Sequence, residues 1–366
     1  MRCLAWLEQG VREGRHLGAQ ICVRHRGEWV IQAALGEARP GVPMRVDSSL
    51  FWFSSCKPVT AILILQLHEE GLLNLGDPVA LHIPEFAQRG KEGVTILHLL
   101  THTGGIRGSK PFPPELDWKD AVRYICELSL DEGTTPGKGA AYHPVTSWQI
   151  LAEIVTRKRG MLFSSVVRER VFLPLGLADS WIGMEPVAFQ SLGERNAGIF
   201  PMTPGQPLGA PYWDREEDSV ASRPGGGGRG PTRELCLLME SLMRGAAGAG
   251  NGGRILQEGS ARLLRQRHRQ GMMDETFQCV IDWGLGVLLN TPRAPGMQLP
   301  YGLGAHASMS AFGHGGMQIS MAFADPEHDL AVAWVCNGMC GERLHRERNH
   351  RVNTFIYEDL ELGRGD

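Results

Sequence analysis

The sequence predicts a fold of the α/β plus all-α kind: one β-sheet completed by both ends of the chain, carrying a helical insertion. Three observations point there. Residues 20–34 alternate apolar and polar side chains around Arg26-Gly27, the pattern of a β-hairpin. Residues 318–324 and 330–337 flank Asp325-Pro326-Glu327-His328-Asp329, a strand–turn–strand pattern at the far end. Between these ends, apolar residues recur mainly at helical spacing.

The elements follow in order. Leu4, Leu7 and Val11 within residues 1–15 read as an amphipathic surface helix. Residues 54–71 suit a largely buried helix, with Val59, Ile62, Leu63, Leu65 and Leu67 apolar and Gly71 as its cap. Residues 77–102 alternate turns with short helices. Helices are expected over 148–158, 163–172 and 233–244, the last capped by Thr232, and again over 349–362. Residues 189–230 are rich in Pro and Gly with little periodicity, which makes a long loop region bordering a site. A chain of 366 residues suits two domains or one large domain with an insertion. The division expected is a discontinuous α/β domain of residues 1–75 and 280–366, a mainly helical domain of 76–279, and a cleft between them.

Composition removes several classes. With 42% hydrophobic and 21% charged residues the chain is neither collagen-like, disordered nor a disulfide scaffold. Net charge is −3 and the basic residues are scattered, so no nucleic-acid partner is expected. The longest apolar run, residues 59–67, is about half a membrane span, so no membrane partner is expected. Residues 1–15 lack an export pattern, and eight cysteines without one suggest free thiols; both point to the cytoplasm. Cys336, Cys340, His345 and His350 run C-x3-C-x4-H-x4-H, near zinc-ligand spacing. Against zinc, Cys336 closes an apolar strand and both histidines stand in an Arg-rich segment that reads as solvated, so no metal is expected.

The chain has no G-x-S-x-G elbow, no H-E-x-x-H, no Walker loop and no dinucleotide fingerprint after a strand. It has one S-x-x-K, Ser54-Ser55-Cys56-Lys57, among only six lysines. Positions i and i+3 share a helix face, so Ser54 and Lys57 can meet while Ser55 and Cys56 point elsewhere. A lysine desolvated at a helix start has its pKa pushed down, so the neutral amine can take the serine proton as general base. Pro58 is tolerated there because first-turn N–H groups have no intrahelical partner. Tyr142, in Tyr142-His143-Pro144 at a loop–helix junction, can relay protons if a nearby ammonium lowers its pKa. In Phe312-Gly313-His314-Gly315-Gly316, glycines let a substrate lie against a strand edge. The backbone N–H of Met317 can then join that of Ser54 in an oxyanion hole.

These three elements, in this order, resemble the serine β-lactamase and penicillin-binding-protein superfamily, in its branch of class C-like esterases. That family carries S-x-x-K, then Y-x-N or Y-x-S, then K-T-G or H-x-G. Further likeness runs through residues 71–79, 99–105 and 172–177, Pro224-Gly225-Gly226-Gly227, Trp283-Gly284-Leu285-Gly286 and Ala324-Asp325-Pro326, covering about residues 18–337. The resemblance implies a β-lactamase/transpeptidase-like fold with a mainly antiparallel sheet flanked by helices. It implies Ser54 as nucleophile, Lys57 as base, Tyr142 as second acid/base and His314 beside the acyl group. Gly315, Gly316 and the Ser54 and Met317 backbones would line the substrate and oxyanion site, without cofactor or metal.

Two departures bear on substrate. Pro144 replaces the Asn or Ser of Y-x-N and removes a side-chain donor; His314 replaces the Lys of K-T-G and removes a fixed charge. Both move the expectation from lactams to small neutral esters, hydrolysed through an acyl-enzyme. An acyltransferase on the same acyl-enzyme, a β-lactamase or D-amino-acid peptidase, and a non-catalytic penicillin-binding-like sensor are the alternatives. Oligomeric state stays open.

Overall fold

The computed structural model describes residues 1–108, 112–113, 115–203, 205–245, 253–292 and 299–363. Its largest element is a seven-stranded sheet. In chain order the strands are β1 (Gly18–His25), β2 (Glu28–Arg39), β3 (Val42–Pro43), β4 (Leu288–Leu289), β5 (Phe312–Gly316), β6 (Ser320–Asp325) and β7 (Leu330–Cys336). Across the sheet they run β4-β5-β6-β7-β1-β2-β3, every pair antiparallel. The predicted N-terminal hairpin is β1–β2, and its turn at Arg26 and Gly27 has positive φ at both residues, +54° and +82°. β7 lies beside β1, with Ile21 opposite Trp334 and Val23 opposite Val332, so the two chain ends close one sheet.

Helices cover both faces, which is why β6 and β7 read as nearly continuous apolar runs. Ile21, Val23, Met321, Phe323, Val332 and Trp334 pack on one side with Leu7 of α1 (Arg2–Arg12) and Val352 and Ile356 of α5 (Glu342–Asp359). Small residues, Ala322, Ala324, Ala331 and Ala333, point to the other side, toward α4 (Thr232–Met243). Without branched side chains in between, α4 sits close enough for Cys236 Sγ to lie 3.5 Å from the Ala331 carbonyl oxygen. This helix falls within the 76–279 stretch, yet it packs on β1, β6 and β7.

At the centre stands α2 (Lys57–Glu69), packed against α3 (Thr146–Arg159) and buried from Lys57 through Leu67. Gly71, with φ +69°, ends it as predicted: its N–H reaches the His68 carbonyl and that of Leu72 reaches Leu67. Residues 163–172 are helical in two pieces, Phe163–Val167 and a π-helical Arg168–Phe172.

Several details differ from expectation. Pro231 is the N-cap of α4 and Thr232 its first residue, so the Thr232 hydroxyl caps nothing and has no partner. α5 begins at Glu342 rather than at 349, because the Arg-rich segment is no solvated loop. His345, Arg348 and Asn349 are buried on one helix face, and Arg348 donates to the Gln318 carbonyl. The 189–230 region, Pro204 aside, is mostly irregular, but Gly228–Gly230 pairs with Leu50–Phe51 and Trp181–Ile182. That small sheet carries Pro224-Gly225 up to the start of α2. Among the described residues no helix is long and apolar enough to cross a membrane.

Candidate active site

Ser54 lies on a 3-10 turn, Phe53–Cys56, that runs straight into α2. The preceding residue, Phe53, holds φ +46°, a left-handed conformation costly for an aromatic residue. Packing secures it: its ring lies 6.1 Å from Phe51 and 5.5 Å from Trp213. The turn is also tied to the sheet. The Ser55 hydroxyl donates to the His314 carbonyl at 2.9 Å, and the Ser320 hydroxyl donates to the Trp52 carbonyl at 2.6 Å. Ser55 is thus buried and occupied by β5, while Ser54 faces the other way, toward Lys57.

Lys57 Nζ is 2.9 Å from Ser54 Oγ, 2.9 Å from the Pro144 carbonyl oxygen and hydrogen-bonded to the Gly225 carbonyl. The Tyr142 hydroxyl donates to the same Ser54 Oγ at 2.8 Å. So the spacing-based expectation is met, and Tyr142, far off in sequence, joins the pair. Burial pulls the Lys57 amine down to about 7, since an ammonium inside the fold loses its hydration. A neutral amine has two hydrogens and one lone pair. The Pro144 and Gly225 carbonyls take the two hydrogens, which leaves the lone pair for the Ser54 proton.

Tyr142 departs from the expectation that an ammonium would lower its pKa. Burial pushes the phenol up, the Ser54 contact opposing only in part, so it stays protonated and serves as a donor. Its loop is held by groups that sequence reasoning did not assign. Asp274 accepts the Tyr142 N–H at 3.2 Å and is itself paired, fully buried, with Arg269 at 3.0 Å. His102 accepts twice: its Nδ1 takes the His143 N–H at 3.1 Å and its carbonyl takes the Ala141 N–H at 3.1 Å. Burial holds His102 well below the usual imidazole range, so it is neutral, with Nδ1 as the bare acceptor. It also keeps φ +57°. The only sequence signal for it was the 99–105 stretch noted above.

His314 faces the same corner, its ring 6.0 Å from that of Tyr142 and 5.4 Å from that of Trp283. Its Nδ1 lies 2.7 Å from the Gly315 carbonyl oxygen, which can only accept, so Nδ1 carries the hydrogen. Burial, with Lys57 adding repulsion, pushes the imidazole down to about 3. His314 therefore supplies no positive charge at neutral or mildly acidic pH. Gly316 allows β5 to approach the Ser54 turn, since a Cβ there would stand 2.2 Å from the Trp52 carbonyl oxygen. Met317 follows at the exposed strand end.

Cys336, Cys340 and His345 are buried apart from this corner, and His345 Nδ1 faces Arg348 at 3.2 Å. With His350 on the same helix as His345, they make no cage: among the described residues no group of three His, Cys, Asp or Glu is placed to hold a metal ion.

The sequence profile of the beta-lactamase family matches residues 5–354. The chain belongs to the beta-lactamase family. It is 33% identical over 205 residues to esterase EstB of Burkholderia gladioli, covering 50% of this chain and 52% of that protein. The match therefore spans about half of EstB. Lovastatin esterase of Penicillium rubens is 24% identical over 330 residues, 81% of this chain and 80% of that one. Among solved structures, a novel penicillin-binding protein homolog from Caulobacter crescentus superposes with TM-score 0.80 at 29% identity, covering 98% and 97% of the two chains. The fold is thus that of the penicillin-binding proteins and β-lactamases, as the motifs implied.

Proposed function

We propose that this beta-lactamase-family serine hydrolase is a carboxylesterase acting on small neutral esters through an acyl-enzyme on Ser54. The observation that carries the reading is the Ser54 hydroxyl between two groups of opposite duty, an amine with a free lone pair and a phenol that keeps its proton. Ser54 gives its proton to Lys57 as Oγ attacks the carbonyl carbon. The backbone N–H groups of Ser54 and Met317 hold the oxyanion. The leaving alkoxide takes the Tyr142 proton, and the Lys57 ammonium returns one to the phenolate. Water then repeats the sequence on the acyl-enzyme and frees the acid.

Neutral substrates are favoured because neither a side-chain donor for an amide carbonyl nor a fixed charge for a carboxylate is in place. His314 is uncharged, and Pro144 contributes only a carbonyl, already engaged with Lys57. The esterase relatives EstB and lovastatin esterase support this reading. In it, residues 1–75 and 280–366, joined by α4 packed on their sheet, form one body and the rest of 76–279 the other, with Ser54, Lys57 and His314 meeting Tyr142, Pro144 and Gly225 at the seam. All eight cysteines are unbridged, which supports a cytoplasmic location.

The test is a panel of p-nitrophenyl esters beside a chromogenic cephalosporin, with and without an added alcohol. The reading expects ester kcat/KM to exceed that of the cephalosporin by at least about 100-fold, the worth of two lost hydrogen bonds. Equal or better cephalosporin turnover would return the chain to lactam chemistry, and a new ester from the added alcohol would make it an acyltransferase.

A further inference from the structure

Behind the turn that follows β5 lies a buried cation with no part in the acyl transfer described above. Arg348, on α5, is 1% exposed, and its guanidinium has only uncharged partners. It donates to the carbonyls of Gln318 and Gly338 and to Nδ1 of His16 and His345, the two histidines at 3.2 Å. His16 Nε2 lies 3.0 Å from the Leu7 carbonyl oxygen, so Nε2 carries the hydrogen and Nδ1 is bare. Burial, with Arg348 adding repulsion, pushes His16 down to about 3 and holds His345 well below the usual imidazole range, so both are neutral acceptors. Cys336 also faces the guanidinium. Cys336 and His345, spaced like zinc ligands, thus wall an arginine instead.

Among the described residues no carboxylate pairs with Arg348, and its Nε–H has no partner. A charge buried without a counter-ion costs the fold stability. Its field is undamped and acts on whatever accepts from it.

One of those acceptors, the Gln318 carbonyl, leads back to the site. Gln318 stands in the turn from Gly316 to Ile319 and holds φ +55° there. Its side-chain oxygen takes the Gly341 N–H at 2.7 Å, and its N–H bonds the Tyr301 oxygen, so the turn is tied down on several sides. The Gln318 carbonyl and the Ile319 N–H belong to one peptide group, and that N–H donates to the Gly316 carbonyl at 3.1 Å. The Gly316 carbonyl and the Met317 N–H belong to a second peptide group. Among the described residues no acceptor takes the Met317 N–H. Two hydrogen bonds in series, passing through two peptide groups, therefore run from the guanidinium to this open donor. In such a chain each bond polarises the next, so density drawn toward Arg348 leaves the Met317 hydrogen more positive. We infer that Arg348 is a positioning residue for acyl transfer: through these two peptides its charge strengthens the Met317 N–H as oxyanion donor and keeps it in place. The inference rests on the reading above of Ser54 as nucleophile and Met317 as oxyanion donor, and it holds for any acyl substrate.

The experiment compares wild type with Arg348→Lys, Arg348→Gln and Arg348→Met. Two things are read in each: kcat and KM on p-nitrophenyl acetate, and the second-order rate of Ser54 labelling by a fluorophosphonate, followed by intact mass. The phosphonyl oxygen gathers negative charge as Ser54 attacks, so labelling calls on the same donor whatever the substrate class. Arg348→Met should lower kcat and the labelling rate about tenfold with KM little changed, a part of the roughly 10²- to 10³-fold that a whole oxyanion donor is worth. Arg348→Gln keeps a donor without the charge and should fall nearly as far. Arg348→Lys keeps the charge and should recover both rates to within about threefold. Urea unfolding of each variant sets stability beside rate: the rates should follow the charge at position 348 and not the unfolding midpoint. Where Arg348→Met does not fold, Arg348→Gln carries the comparison. Folded neutral variants with wild-type rates, or a Lys variant that falls as far as they do, overturn the inference. Wild-type enzyme that takes the label yet hydrolyses no ester overturns the ester reading alone, and the labelling rates still decide the role of Arg348.

Discussion

Lys57 and Lys91 are both fully buried, and the nitrogen of each has three oxygen partners. Each also lies near an aromatic face, Lys57 5.4 Å from the rings of Tyr142 and Trp148, Lys91 5.3 Å from that of Phe86. Burial lowers the pKa of both. The difference is in the third partner. Lys91 is surrounded by the carbonyls of Gln88, Cys126 and Leu128, which only accept, so it needs three hydrogens and is satisfied as an ammonium. Lys57 has two carbonyls and a hydroxyl, and the hydroxyl can donate in return. In the proposed mechanism that reversible hydrogen bond is what lets Lys57, and not Lys91, act as a base.

The largest effect that would sharpen this comparison is removal of that reversible partner. Ser54→Ala should abolish ester turnover and fluorophosphonate labelling, a loss on the order of 10⁶-fold as for other serine nucleophiles. Ser55→Ala should still label, because Ser55 serves the sheet. Next, Lys57→Met should lower kcat by about 10²- to 10⁴-fold, the usual worth of a positioned base. Lys91→Met should leave kcat/KM within about threefold yet destabilise the fold by about 1–3 kcal/mol through its abandoned carbonyls. Equal activity losses in the two lysine variants would erase the distinction, as stopped-flow rates and urea unfolding of both proteins would reveal. Tyr142→Phe should cost about 10²- to 10⁴-fold in kcat with little change in KM. If KM rises and kcat holds, Tyr142 binds substrate rather than moving protons.

A graded effect is expected in the pH profile. A base works unprotonated, so kcat/KM should rise with pH through an apparent value of about 7, where Lys57 gives up its proton, and level off above. At two pH units below that value activity should be about 100-fold down. His314 titrates at about 3 and Tyr142 above its ordinary range, so neither adds a limb between pH 5 and 9. A second limb near pH 6 would mean that His314 is charged after all.

Much of this was readable beforehand, for physical reasons. The hairpins were legible because alternation and turn chemistry are local, and Ser54 met Lys57 because i,i+3 spacing is a property of any helical turn. Gly71 was legible as a cap because a helix end needs a positive φ. The Arg-rich start of α5 was not, since Arg343, Arg346 and Arg351 disguise a face on which His345 and Arg348 are buried. Nor was the state of His314 or Tyr142, which depends on how many side chains crowd it. His102 and Asp274 escaped because what they hold is the backbone of residues 141–143, remote from either in sequence.

The two fixed partners of Lys57 are both main-chain oxygens, those of Pro144 and Gly225. No codon specifies a carbonyl, so neither partner can be lost by replacing a side chain. The side chain at position 144 is therefore not what holds the Lys57 amine, and here a ring stands where the Y-x-N or Y-x-S motif of the resemblance has an amide or hydroxyl. Gly225 differs: a Cβ there would meet the Pro144 oxygen at 2.6 Å and Lys57 Nζ at 3.3 Å. Of the two positions, only 144 can change its side chain without pressing on the Lys57 amine.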